Sequence, residues 1–348
     1  MSTLRVTLLL LAVPLAWSAD PASAHRRPTP TASSSVCTTV LTDGRSFITG
    51  GGTATAPLAA AKFFQRVGGL VPAAPMMAPR SSHVCIALTD GSILAAGGFG
   101  GPGGPTNSAE IYHPDTDTWS TTGAMLTART YAAAILMNDG RALIAGGQSS
   151  GQIANTLEIY DPSDGHFRPA LGVLSSPRSH HAVAVLHDGR VLIAGGYDGT
   201  QVLDTLDIFD PSSETVRPAG TMLTRRQDFS ATELEDGRVL LAGGFDGNVE
   251  LASAELYDPV SGSVTPAASM ASPRRSHTAI RPKGSDTVLF VGGSLHGRAL
   301  PGAELFVALQ ASFVPAVEGT GPGTVTVGAI DSEGKPLNIR TYSTEAGH

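Results

Sequence analysis

Lysine is almost missing from this sequence: Lys62, Lys283 and Lys335 are the only three in 348 residues, and all charged residues together reach 15%. No basic run occurs, so the electrostatic footprint of a nucleic-acid binder is lacking. The formal net charge of -7 argues only for solubility. Aromatic residues are few, at 5%, and Trp119 is the only tryptophan besides Trp17, which weakens the case for a glycan surface of stacked rings. Long apolar runs are also missing. The one candidate, Val6 to Trp17, is too short to span a bilayer, so no membrane insertion is expected. The motif H-E-x-x-H and the phosphate-cradling Walker loop are absent. The glycine-rich segment Phe99 to Pro105 follows a strand pattern, with no helix pattern behind it to supply an anion-binding end. Cys37 and Cys85 are the only cysteines.

What is present begins with an export pattern. Arg5 supplies a positive charge, Val6 to Trp17 an apolar core, and Ala22-Ser23-Ala24 a small-residue cleavage site. Residues 1–24 therefore read as a signal peptide, with cleavage expected near His25 and Ala19 as the alternative. Residues 25–35 form a short N-terminal segment. The mature chain is expected to be secreted or periplasmic. Export permits a disulfide between Cys37 and Cys85; two buried free thiols are the alternative.

Repetition dominates the rest. A di-glycine follows an apolar strand six times, and the first glycines (Gly50, Gly97, Gly146, Gly195, Gly243 and Gly292) are 47, 49, 49, 48 and 49 residues apart. Each unit reads as an apolar strand, an Asp-Gly turn, a second apolar strand ending at the di-glycine, and a polar loop. A third strand such as Glu255-Leu256-Tyr257 comes next, then a proline turn and a short fourth strand carrying Trp119, Phe167, Val216, Val264 or Phe313. Asp-Gly is read as the centre of a two-residue hairpin with both residues at positive φ. Four short strands per unit of about 50 residues make one blade of a β-propeller, and each blade needs neighbours to cover its faces. The expected fold is all-β: a six-bladed β-propeller of four-stranded antiparallel blades over residues 36–318. Residues 319–348 are expected to be a linker and a C-terminal β-hairpin, with a partial seventh blade as the alternative.

The di-glycines, the aromatics that follow them and the Pro-Arg opening the next unit resemble the kelch family, above all its bacterial exported form with Asp-Gly-Arg-Val-Leu-Ile-Ala-Gly-Gly (188–196) and Ala-Glu-Leu-Tyr-Asp-Pro (254–259). Units 1 and 6 depart from the pattern, as expected where the ring is joined. The resemblance specifies fold far more than function, because kelch propellers include scaffolds, receptors and a few enzymes. It implies that the mouth of the central channel, with the loops after the di-glycines, is the ligand face.

An internal repeat also sorts residues. What recurs in every unit is structural, and what varies is free to work. The strand-three acids Glu110, Glu158, Asp207, Glu255 and Glu304 recur, so they read as structural. Arg80, Arg129, Arg178, Arg226 and Arg274 open the innermost strands and are expected to ring the mouth, able to hold a carboxylate or phosphate bidentately. The competing reading has each arginine brace its blade against a strand-three acid. Beside them Tyr131, His180 and Asp228 vary from unit to unit and complete the expected ligand-binding set. His83, His181 and His277 lie on alternate units, but one imidazole per blade is too widely spaced for a metal, so packed histidines are expected and no metal or cofactor is assigned. The functional expectation is an exported binding module for a protein or acidic small ligand, and not an enzyme. The alternative is an enzyme like the copper-radical oxidases, of which Tyr131, His180 and His181 offer fragments while neither cysteine has an evident tyrosine partner, or like a sugar mutarotase, which the general repeat alone matches.

Overall fold

The computed structural model describes residues 36–315, interrupted at 42–44, 54, 66–68, 282–284, 286, 301 and 308–311, together with strands at 324–330 and 336–343. The fold is a six-bladed β-propeller of four-stranded antiparallel blades. Blade 4 shows the plan. Ala182–Val185 lies innermost, followed outward by Val191–Ala194, Thr205–Asp210 and Thr215–Thr221, each paired with the next. Every blade is built from one continuous stretch of chain, so no blade combines the two ends. Thr324–Ile330 and Pro336–Ser343 pair with each other as a separate two-stranded sheet, not as a seventh blade. The expected signal peptide and N-terminal segment lie outside the described residues.

Blade stacking explains the sequence pattern. The second strands Ile93–Ala96, Ala142–Ala145, Val191–Ala194 and Val239–Ala242 are buried at every position. A neighbour covers each face, so these strands read as unbroken apolar runs without alternation. Each buried Val, Leu or Ile there is worth about 1.5–3 kcal/mol against exposure.

The Asp-Gly turns differ from the two-residue reading. Gly91, Gly140, Gly189 and Gly237 have positive φ, whereas the preceding aspartates do not. Leu88 and Ser92 still pair across the turn, and Gly91 N–H bonds back to the Leu88 carbonyl. The loop therefore has three residues, a tight turn followed by one left-handed glycine. The aspartate serves by its side chain: Asp90, Asp139, Asp188 and Asp236 each accept the N–H two residues on.

Cys37 and Cys85 form a disulfide with Cα atoms 5.8 Å apart, joining the innermost strands of blades 1 and 2. Cys37 sits on the face of its strand turned toward blade 2, and Cys85 on the face turned back. Both sulfurs are thereby used, and neither is free for a bond to tyrosine.

Candidate functional site

The five arginines turn away from the mouth. Their side chains are at most 2% exposed, and each pairs with the strand-three acid of its own blade: Arg80 with Glu110, Arg129 with Glu158, Arg178 with Asp207 and Arg226 with Glu255 at 2.8–2.9 Å, and Arg274 with Glu304. In every case Nη1 also donates to the carbonyl of the first glycine of the pair, for instance Arg178 to Gly195 at 2.9 Å. The acid completes the unit by accepting backbone N–H groups from the chain entering the blade, as Glu158 does from Leu126 and Thr127. Burial pushes the arginine pKa values of Arg80, Arg178 and Arg226 down, and the neighbouring carboxylates oppose it. The expected place of Arg80, Arg129, Arg178, Arg226 and Arg274 at the mouth is thus corrected: their side chains are buried inside the blades and their Nη groups are engaged there, so an anion at the mouth does not meet them.

The same network explains the di-glycine. The second glycine donates its N–H to the arginine carbonyl of the following blade, as Gly147 does to Arg178 at 2.8 Å. The first has φ between +58° and +67°. At Gly146 an added Cβ would strike the Arg178 carbonyl, so only glycine fits.

Two residues past each arginine the picture reverses. Ser82, Tyr131, His180, Asp228 and Ser276 all have φ between +52° and +56°. Tyr131 N–H donates to Ser82 O, His180 to Tyr131, Asp228 to His180 and Ser276 to Asp228, at 2.8–3.1 Å. These bonds run from blade to blade around the mouth and hold a backbone conformation that tyrosine seldom adopts. Because the main chain carries the structural duty, the side chains are free to differ. Tyr131 stacks on His180 with ring centroids 4.1 Å apart, and His180 Nδ1 lies 2.7 Å from Asp228 Oδ1. The structure therefore brings together Tyr131, His180 and Asp228 as one partly exposed array.

The three histidines of alternate blades point into separate gaps between blades. His83 Nε2 bonds Thr49 at 2.8 Å and His277 Nε2 bonds Ser230 at 2.9 Å, whereas His181 has a partner on neither nitrogen. Where Ser230 and Thr49 stand, blade 3 has Ala133 and Ala145. Burial holds the pKa of His83 and His277 down to about 3 and that of His181 well below the usual range, with the adjacent arginine adding to it.

Several mouth-face residues were missed by reading along the sequence. Phe99, Tyr197 and Phe245 follow their di-glycines and bridge to the residue after each blade's arginine. Met77, Leu126 and Leu223, on the connections into blades 2, 3 and 5, are 60–62% exposed. A cleft of about 530 Å³ over blades 3 to 5 is lined by His180, Gln148, Gln227, Arg225, Tyr197 and Phe245, among others. The opposite face has hollows of about 630 and 620 Å³. There the turn arginines bond their own loops, Arg141 to Asp139 and Arg190 to Asp188, and Arg141 also reaches Glu214 of blade 4. The signal that would have found the mouth-face set is departure from the repeat one residue either side of the arginine.

A family model described as the KLHDC2/KLHL20/DRC7 Kelch-repeats domain matches residues 70–244, half of the chain, and a second, the Kelch motif, matches residues 236–271. The chain belongs to the kelch-repeat β-propeller family. The kelch fold makes it a module of the binding or scaffold kind. A solved structure titled "Structure of YjhT" is similar with a TM-score of 0.66 and 15% identity, over 82% of this chain and 97% of that one. At that identity the likeness shows the kelch propeller fold alone. No curated protein matches the sequence.

Proposed function

We propose that this kelch propeller is an exported binding module that holds a protein partner on its mouth face. The observation that carries the reading is the apolar surface there. Met77, Leu126 and Leu223 stand out on three connections, and Phe99 and Tyr131, at 42% and 40% exposure, lie between them and the channel. Antiparallel topology puts these connections and the post-di-glycine loops at one end of every blade. Five large apolar side chains at this end of the blades suit a protein interface, while Val260 and Leu171 are exposed singly elsewhere. The test is site-specific photocrosslinking. A photoreactive residue at Leu126 is expected to capture a partner that one at Val260, in the proline turn of the opposite face, does not. Equal capture at both positions overturns the reading. Export rests on the pattern of residues 1–24, and N-terminal sequencing of the secreted or periplasmic protein is expected to start at His25.

An enzymatic reading has one observation in its favour. Asp228 fixes the His180 ring through Nδ1, as a carboxylate orients an acid–base imidazole, and no bond to protein engages Nε2 among the described residues. A turnover that His180→Ala abolishes while partner capture persists would support it.

A further inference from the structure

We infer that the cleft over blades 3 to 5 is a carboxylate site, with Arg225 as its counter-charge and the amides of Gln148 and Gln227 as orienting donors. This deepens the binding reading by naming a ligand chemistry, but it needs no protein partner. The position before the buried arginine is Pro79, Ala128, Pro177 and Pro273 in other blades, yet Arg225 in blade 5. The position after it is Ser81, Thr130 and Ser179 in blades 2 to 4, yet Gln227 in blade 5 and Arg275 in blade 6. The residue following the di-glycine is aromatic in blades 2, 4 and 5, small in blades 1 and 6 (Gly52 and Ser294), and Gln148 in blade 3. All three departures line one cleft. A repeat that needed only to fold would have kept the common residue at each position.

The groups around the cleft favour an anion. Arg225 is exposed and makes no hydrogen bond or ion pair to another described residue, while its charge, with the loop N–H groups, helps hold the Asp246 carboxyl below its usual range. Gln148 and Gln227 are half-buried, and each bonds through its main chain while its amide makes no protein hydrogen bond. The one acid in the lining, Asp246, already accepts the N–H groups of Asn248 and Val249, which close its own loop. Tyr197 and Phe245 provide flanking apolar walls, and His180 stands at the inner side next to Asp228. A volume of about 530 Å³ suits a small molecule or a single acidic side chain. Arginine and planar amides around a half-dry floor match a carboxylate's paired acceptors.

The carboxylate could belong to a free small acid or to an acidic residue of a partner, and two probes separate these sources. Malonate, with malonamide as its neutral control, is titrated against the full mature chain by thermal shift and calorimetry. In parallel, a short neutral peptide with one central Glu is compared with its Gln counterpart. At least one carboxylate probe is expected to bind more tightly than its amide control. Malonate alone indicates a free acid, and the peptide alone a partner's side chain. Arg225→Gln is expected to weaken that binding about tenfold or more, the effect of losing a charged hydrogen bond, with the unliganded melting temperature unchanged. Gln227→Ser, which restores the repeat's residue, is expected to weaken it severalfold. If neither probe is distinguished from its amide, or if Arg225→Gln binds as the wild type does, the inference is overturned. Crosslinking at Leu126 is read separately in Arg225→Gln, so failure of the carboxylate site and failure of the docking face are told apart.

Discussion

Blades 1 and 4 have the same four-stranded plan but different fasteners. Blade 4 is held by a buried charge network: Arg178 reaches Asp207, the Gly195 carbonyl and the Thr205 carbonyl at 2.9–3.1 Å. Among the described residues blade 1 has no such arginine–acid network. Ser33 stands at its arginine position, outside the described residues, and exposed Lys62 replaces the strand-three acid. It is secured to blade 2 by the Cys37–Cys85 disulfide, by Thr49 bonding His83, and by a cluster in which Phe47 stacks on Tyr112 at 4.5 Å beside Phe63 and Trp119. The same blade can thus be fixed either by ion pairs within itself or by covalent and aromatic links to its neighbour. The second kind appears in the unit whose arginine and acid positions hold Ser33 and Lys62.

If that contrast is right, the largest loss follows from breaking a blade's own network. Arg178→Ala is expected to cost about 3–5 kcal/mol, because Asp207 is left buried without its partner. Chemical denaturation reads it directly. A loss below about 1 kcal/mol would mean that the network is ornamental.

The disulfide comes next. A link across 48 residues is worth about 4 kcal/mol by loop-closure entropy, and about 2–4 kcal/mol is typical. Cys37→Ser with Cys85→Ser is expected to lose that much, with the loss showing first in blade 1 by hydrogen exchange. Uniform loosening around the ring would erase the distinction between blade 1 and the others.

Acid should act on the gaps between blades. His83, His181 and His277 are neutral in the folded chain with pKa values held low, whereas the unfolded chain takes up protons below the ordinary value of 6.5. Their contribution is therefore complete above pH 6.5 and is lost as pH falls below it, down to about 3 for His83 and His277. Each costs about 1.4 kcal/mol per pH unit in that window. Stability measured between pH 7 and 5 is expected to fall more steeply than in a variant with His83 and His181 replaced by Gln. A flat profile would remove the histidines from this account.

The smallest effect is a gain. Ala133→Ser should give His181 the hydroxyl partner that Ser230 gives His277, stabilising by about 1 kcal/mol. No gain would mean that the His181 nitrogens are satisfied in some other way.

The blades themselves were legible in the sequence, because six di-glycines at nearly constant spacing admit few other folds. The turn geometry was not: counting Asp-Gly as the whole loop missed that Leu88 and Ser92 flank three residues, so only the glycine needs positive φ. The direction of the arginines was open between two readings, and the structure takes the bracing one. A residue opening an inner strand can face the channel or fold back into its blade, and the spacing alone does not say which. The recurring acid on strand three was the clue, since a charge repeated at low exposure needs a repeated partner. Tyr131, His180 and Asp228 were picked for varying, and the structure does gather them. Their shared left-handed backbone was hidden because serine, tyrosine, histidine and aspartate look unalike. Arg225, Gln148 and Gln227 escaped notice because they come from two blades and meet only once the ring is formed.

Arg225 and Arg226 are neighbours in the chain with opposite fates, one exposed on the mouth face and one with its side chain wholly buried against Glu255. Melting temperatures of Arg225→Ala and Arg226→Ala, measured side by side, test the division between frame and working surface most directly. The account predicts no shift for Arg225→Ala and a fall of about 10 °C for Arg226→Ala, from a loss of about 3–5 kcal/mol in a domain of this size. Equal shifts, or a stable Arg226→Ala protein, would contradict it.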